Sequence, residues 1–283
     1  MAGLDREQHL KGRQLMPAIL GIDAAWTATE PSGIALLHGS GSTWKCVVLA
    51  PSYGSFIAAG AGLPVDWSTA PKPSEPDVEA LLAAAKTLLK DTKLDLVTID
   101  MPVATGPITG RRAADNAISK AFGGKGCSVY TPNSRRPGPI ADHLRRRFAA
   151  SGYPLATTTV PSGTCPALVE VFPHTALLKM LDVPYRIPYK VAKASRYWPA
   201  KKWPSLSAPD RRAKILSQWL RILDALSKTV SNIAVKLPDA GTNATLKRYE
   251  DALDAVICAW VGVAYLEGRA VPYGDTTAAI WSP

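Results

Sequence analysis

The 283-residue chain has no run of about 18 uninterrupted apolar residues, so no segment of it reads as a membrane-spanning helix. Cysteine is scarce. Cys46, Cys127, Cys165 and Cys258 lie far apart, with neither a Cys-x-x-Cys nor the Cys/His spacing of a zinc site, and reduced, mostly packed thiols are expected. The opening MAGLDREQHLKGRQLM is too polar for a secretory signal and lacks periodicity, so residues 1 to 16 are expected to form a flexible leader and the protein to be cytoplasmic. No internal repeat is present, and no Gly-rich loop precedes a helix as a phosphate cradle does. Core-forming side chains are not lacking. Hydrophobic residues make up 47% of the chain, which excludes wholesale disorder, and the length suits one large domain or two small ones.

Acids are outnumbered, with 23 Asp plus Glu against 33 Lys plus Arg, a formal charge of +10. A polyanionic partner such as nucleic acid suits that balance. The basic residues concentrate between residues 110 and 215, in Arg111-Arg112, Arg135-Arg136, Arg145-Arg146-Arg147, Lys201-Lys202 and Arg211-Arg212.

The stretch AILGIDAAW, residues 18 to 26, is a short apolar run closed by Asp23. It reads as a strand buried on both faces, and a carboxylate at its end is costly to desolvate unless a cation or an Arg offsets it. Taken alone, Asp23 reads equally as a turn cap. The apolar runs 32 to 39 and 42 to 50, separated by a Gly/Ser turn, extend it into a three-strand antiparallel meander. Residues 51 to 75, rich in Pro, Gly and Ser, read as a loop. The pattern SEPDVEALLAAAKTLLKD reads as an amphipathic helix with Ser74 at its cap. A second buried strand, KLDLVTIDMPV, follows and again ends in an acid, Asp100, before a proline.

Residues 104 to 166 read as a long irregular stretch with one short helix at 111 to 122, in the manner of a binding or active-site region. The strand ALVEVFPH, 167 to 174, carries Glu170 pointing opposite to Val169 and Val171, and a place in a cleft is the reading adopted for it. Tyr189-Lys190 and Arg196-Tyr197-Trp198 combine aromatic and basic side chains, a pattern that suits base stacking and also ordinary local packing. A helix follows from about residue 207, with Ile215, Trp219, Ile222, Leu223 and Leu226 on its apolar side. A last helix, 246 to 268, has a buried stripe with Asp254 beside it and Asp251 further round, three residues apart on one face. The tail ends on Trp281, expected to cover the sheet edge.

In their order and spacing, GIDAAW, IDMP, RRAAD leading into SVYTP, VEVFPH, DALDA and the terminal IW resemble the family of predicted ribonuclease H-like nucleases, domain of unknown function 429. The resemblance covers residues 18 to 283. It implies an α/β ribonuclease H-like mixed sheet, an antiparallel three-strand meander plus parallel strands flanked by helices. A single domain over 17 to 283 would carry insertions at about 104 to 166 and 175 to 245. It also implies a metal-dependent nuclease that hydrolyses a phosphodiester. Asp23 would bridge two ions, Asp100 and one or both of Asp251 and Asp254 would each hold one, and Glu170 would join them or position water. Carboxylate oxygens suit Mg2+ or Mn2+. Arg111, Arg112, Arg135 and Lys190 would contact phosphates, and nucleic acid would be the partner.

Two other functions compete. An actin-like ATPase or phosphotransferase shares the strand order, but it needs a second related domain with a phosphate loop, and only one GID segment is present. A non-enzymatic module could keep the fold and bind nucleic acid or protein through its basic surface.

Overall fold

The computed structural model describes residues 16–41, 43–239 and 241–283. The expected leader falls almost wholly outside them.

β1 (Ala18–Asp23), β2 (Gly33–His38) and β3 (Trp44–Ala50) form the expected antiparallel meander, with Ile22 opposite Ile34 and Leu36 opposite Val48. The stretch read as a loop instead contains helix α1 (Tyr53–Gly60). Ser52 caps it, its hydroxyl accepting from the Ser55 N–H at 3.1 Å, and only Tyr53 and Phe56 are buried. Two turns with two buried residues are too short to declare a period against a Gly-rich background. Helix α2 (Val78–Leu88) begins later than expected, capped by Asp77 on the Ala80 N–H at 3.0 Å rather than by Ser74.

β4 (Leu96–Ile99) lies parallel to β1, and β5 (Ala167–Val171) parallel to β4. Between them run α3 (Ala113–Phe122) and a second helix, α4 (Pro139–Ala150). The expectation of one short helix in this stretch is therefore corrected. Ala141, Leu144 and Phe148 give α4 a buried face, which the run Arg145–Arg147 obscured.

The chain continues through α5 (Pro173–Met180), α6 (Ala194–Tyr197), α7 (Ala208–Ser227) and the short β6 (Val230–Ser231), to α8 (Asn243–Leu266), β7 (Val271–Gly274) and β8 (Ala279–Ser282). One mixed sheet results, in the order β6-β3-β2-β1-β4-β5-β8-β7. Trp281 does not cover an edge. It lies within β8, between β5 and β7, buried, with its indole N–H donating to the Ala156 carbonyl at 3.0 Å.

Alternation along the strands assigns each side chain to a face. On β1, Ile19 and Gly21 face α8, while Leu20 and Ile22 face the layer of α1, α2 and α4. On β5, Ala167, Val169 and Val171 share the α8 side, and Leu168 lies on the other. Helix α8 is buried on all sides from Arg248 to Tyr265, so its apolar residues form a full cylinder rather than the expected stripe, and Asp251 and Asp254 are both buried (3% and 0% exposed).

Two glycines let α8 sit this close. A Cβ on Gly33 would come within 2.1 Å of the Asp251 carbonyl oxygen, and one on Gly21 within 2.3 Å of that of Ala255. Both contacts are backbone on backbone, with no rotamer to give way. Gly33→Ala is expected to lower unfolding stability by about 1–3 kcal/mol as α8 is forced outward. Denaturant unfolding beside the wild type checks this, and a loss below about 0.5 kcal/mol would mean α8 is not seated as described.

Among the described residues no helix is long and apolar enough to cross a membrane. Cys46, Cys127 and Cys258 are buried free thiols and Cys165 is an exposed one.

Candidate active site

Parallel pairing of β1 with β4 brings their C-terminal ends together: Ile22 is opposite Ile99, and the Asp100 N–H donates to the Ile22 carbonyl at 2.9 Å. Asp23 and Asp100 are the next residues on each strand. Continued alternation places both on the α8 face, beside the acids of that helix.

Neither the Asp23 nor the Asp100 carboxylate accepts a hydrogen bond from a described residue. Burial pushes the Asp23 carboxyl up to about 7. Lys190 and Lys247 pull against that shift, and Asp251 and Glu250 add to it. Asp100 is raised well above the usual carboxylate range by burial first, then by the charges of Asp23, Asp254 and Glu170. An uncompensated carboxylate pair of this kind is a familiar mark of a functional site.

Helix α8 supplies Glu250, Asp251 and Asp254. The Tyr189 hydroxyl donates to Asp254 at 2.8 Å, and the Lys190 ammonium is bonded to Asp254 and lies 3.5 Å from Glu250. Glu250 also accepts from the Val191 N–H and lies 3.4 Å from the Lys247 ammonium, which is bonded to Asp251. Burial raises Asp251 and Asp254 to about 6 each, against the pull of Lys247 on the first and Lys190 on the second. Burial disfavours the Lys190 charge, but Asp254, Tyr189, Glu250 and Asp23 overcome it and hold the ammonium protonated. The Tyr189–Lys190 segment is fixed from behind, where the Trp219 indole N–H of α7 donates to the Tyr189 carbonyl at 2.8 Å. Five carboxylates thus face two ammonium groups, with a net local charge near −3 when all are ionised.

Of these groups Asp23, Asp100, Asp251, Lys190 and Lys247 line a cleft of about 600 Å³, together with Trp26, Tyr130, Asn133 and Arg136; Glu250 and Asp254 lie behind it. Such a volume lies within the range of pockets that enclose small-molecule-sized ligand groups.

Four of the five acids singled out from the sequence, Asp23, Asp100, Asp251 and Asp254, therefore converge. Glu170 does not join them. On β5 it points away from α8, and both its oxygens are taken by the Arg112 guanidinium at 2.6 and 2.7 Å, with the Val103 N–H donating at 3.0 Å. Arg112 in turn grips Asp115 at 2.6 Å and the Val103 carbonyl at 2.6 Å. It is a buried structural cation with no donor left for a phosphate. Arg111 is tied to Asn116, Ser119 and Thr131 at 2.7, 2.6 and 3.1 Å. Arg135 is exposed and its neighbour Arg136 lines the cleft instead. Lys190 lies at the site, but bound to carboxylates.

Sequence reasoning missed Glu250 and Lys247, and it read Tyr189 as a stacking or packing residue rather than as the donor to Asp254. The first two were detectable, since Lys247 stands three and four residues before Glu250 and Asp251, the spacing of helical ion pairs. Among the described residues no three His, Cys, Asp or Glu side chains are arranged to hold a metal ion, and Asp251 and Asp254 are each bonded to a lysine.

The molecule is thus an α/β protein, one mixed sheet flanked by helices, with carboxylates at the C-terminal ends of the adjacent parallel strands β1 and β4. Residues 21–278 match the family described as "Protein of unknown function (DUF429)", and the chain belongs to that family. No curated protein and no solved structure matches it.

Proposed function

We propose that this protein is a ribonuclease H-like, divalent-metal-dependent hydrolase of nucleic-acid phosphodiesters, with Asp23 and Asp100 at its centre. The observation that carries this reading is the Asp23–Asp100 pair: two adjacent carboxylates, hemmed in by protein, without hydrogen-bond donors, each raised by burial and by neighbouring negative charge. Such a pair suits a hard cation that takes oxygen ligands.

Asp23 and Asp100 would hold Mg2+ or Mn2+, and Asp251 or Asp254 would complete the set on release from its lysine. When bound, the ion activates water and stabilises the charge that develops on the phosphate. Lys190 and Lys247 screen the remaining acids so that the cluster tolerates folding without metal. Tyr189 fixes the orientation of Asp254. At the rim, Trp26 and Tyr130 offer aromatic faces to bases, and Arg136 offers a guanidinium to the backbone.

The test is a calorimetric titration of Mg2+ and Mn2+ into wild type and Asp100→Asn, followed by a screen of the same samples on single-stranded, double-stranded and branched DNA and RNA. Binding and cleavage by the wild type, both lost in the variant, are expected. A wild type that binds neither ion and cleaves nothing would overturn the reading in favour of a binding module.

A further inference from the structure

Beside the main cleft, and sharing Asp100, Trp26, Tyr130 and Lys190 with it, lies a smaller cavity of about 190 Å³. It is below the roughly 300–1,000 Å³ of pockets that enclose whole drug-sized ligands, so it suits a single small group.

Most charges around it are already satisfied. Arg112 is matched by Glu170 and Asp115, and Lys190 by Asp254 and Glu250. Arg186, Lys193 and the Asp100 carboxylate are not, and the two cations outweigh the one acid. Among the described residues neither cation forms a salt bridge; Arg186 bonds to the Gly126 carbonyl and to His174, and Lys193 lies 5.3 Å from the Tyr130 ring centre. Burial and the adjacent Arg186 charge pull the Lys193 ammonium below its ordinary value.

His174, 6% exposed, supplies a second observation. A guanidinium only donates, so the His174 Nε2 that meets Arg186 is an acceptor and the ring proton resides on Nδ1. Burial and the charges of Arg186, Lys190 and Lys193 keep this ring neutral. Among the described residues that Nδ1–H is buried without a partner, as is the Arg186 Nε–H. Buried donors left unmet cost about 1–3 kcal/mol each, which favours an acceptor supplied by a ligand.

We infer that this side cavity is an anion subsite that takes a terminal phosphate of the substrate, with Arg186 and Lys193 supplying charge and His174 a neutral N–H donor. The assignment to a substrate phosphate rests on the phosphodiester reading above. A terminal phosphate anchored next to Asp100 makes hydrolysis end-directed rather than mid-strand.

The test uses inorganic phosphate in calorimetric titrations with EDTA present, on wild type, Asp23→Asn, Arg186→Gln and Lys193→Met, with circular dichroism to establish folding. The wild type is expected to bind phosphate, and Asp23→Asn, which removes a negative charge beside the subsite, to bind it at least as tightly. Arg186→Gln and Lys193→Met should each weaken binding about tenfold or more, the size of a lost charged hydrogen bond. Oligonucleotides carrying a 5′- or 3′-phosphate should bind more tightly than unphosphorylated ones in wild type, and the difference should vanish in Lys193→Met. Absence of phosphate binding in the wild type overturns the subsite. So do unchanged affinities in both folded variants, or equal binding of phosphorylated and unphosphorylated strands. If phosphate binds but no metal does, the hydrolase reading fails while the anion site stands; the reverse pattern removes the subsite alone.

Discussion

Asp23→Asn is expected to abolish divalent-metal binding and hydrolysis while making the metal-free protein more stable. Groups that merely orient a metal ligand typically contribute about 10–100-fold, so loss of a direct ligand shared by the site should cost at least about a hundredfold in metal affinity. The stability change runs the other way because burial disfavours the Asp23 charge more than Lys190 and Lys247 favour it. Its folded-state value, about 7, lies above the ordinary 3.8, so the native state holds this proton more tightly than the unfolded chain does. Its contribution to stability is complete below about pH 4 and is lost as pH rises through about 7. Asp100, Asp251 and Asp254 are raised in the same direction and add to the loss. With EDTA present, denaturant unfolding near pH 5 and near pH 8 should show the wild type weaker at the higher pH. Asn at position 23 should recover about 1–3 kcal/mol there. A variant less stable than wild type at about pH 8 would mean that Asp23 is a structural partner rather than a carboxylate held for a ligand.

Arg112→Met is expected to destabilise the protein by about 3–5 kcal/mol, the usual result of removing one partner from a buried ion pair. The guanidinium serves two buried carboxylates and a backbone carbonyl at once, and methionine fills much of its volume without replacing any of those bonds. Glu170, 3% exposed, would be left as an unpaired charge whose burial already raises its value while Arg112 is present. Protonation relieves an unpaired carboxylate. Without Arg112 the Glu170 value rises further, so the gap between variant and wild type should narrow as pH falls and widen towards neutrality. Arg112→Lys should recover little, since an ammonium cannot make the two-pronged contact. Urea unfolding of the two variants between acid and neutral pH measures the effect, and a cost of Arg112→Met under about 1 kcal/mol would contradict the assignment.

Much of the site was legible because a buried strand announces itself locally. Short apolar runs ending in Asp23 and Asp100 put both acids at strand ends, and the three-residue spacing put Asp251 and Asp254 on one helical face. The meander followed from the order of the same runs, and the parallel β4 was implied by the family resemblance. The fate of Glu170 was not legible in the same way. Alternation told that it opposes Val169 and Val171, but not which of the two faces α8 would cover. Arg112, its partner, lies 58 residues away in sequence. The basic residues suffered similarly, since Arg111, Arg112, Arg135 and Lys190 carry the same charge in sequence and hold four different positions in the fold.

Local pattern by itself determined the strand-end acids, the helical acid pair and the alternation of strands and helices, because these depend on apolar period and on residues within a turn or two of one another. The tertiary structure alone decided which charges cancel and which remain free. Lys190 meets Asp254 from 64 residues away, and Gly33 lets α8 close on the sheet. Whether a carboxylate binds, titrates or merely holds the fold together is set by what packs within a few ångströms of it, and those neighbours come from segments that no local pattern joins.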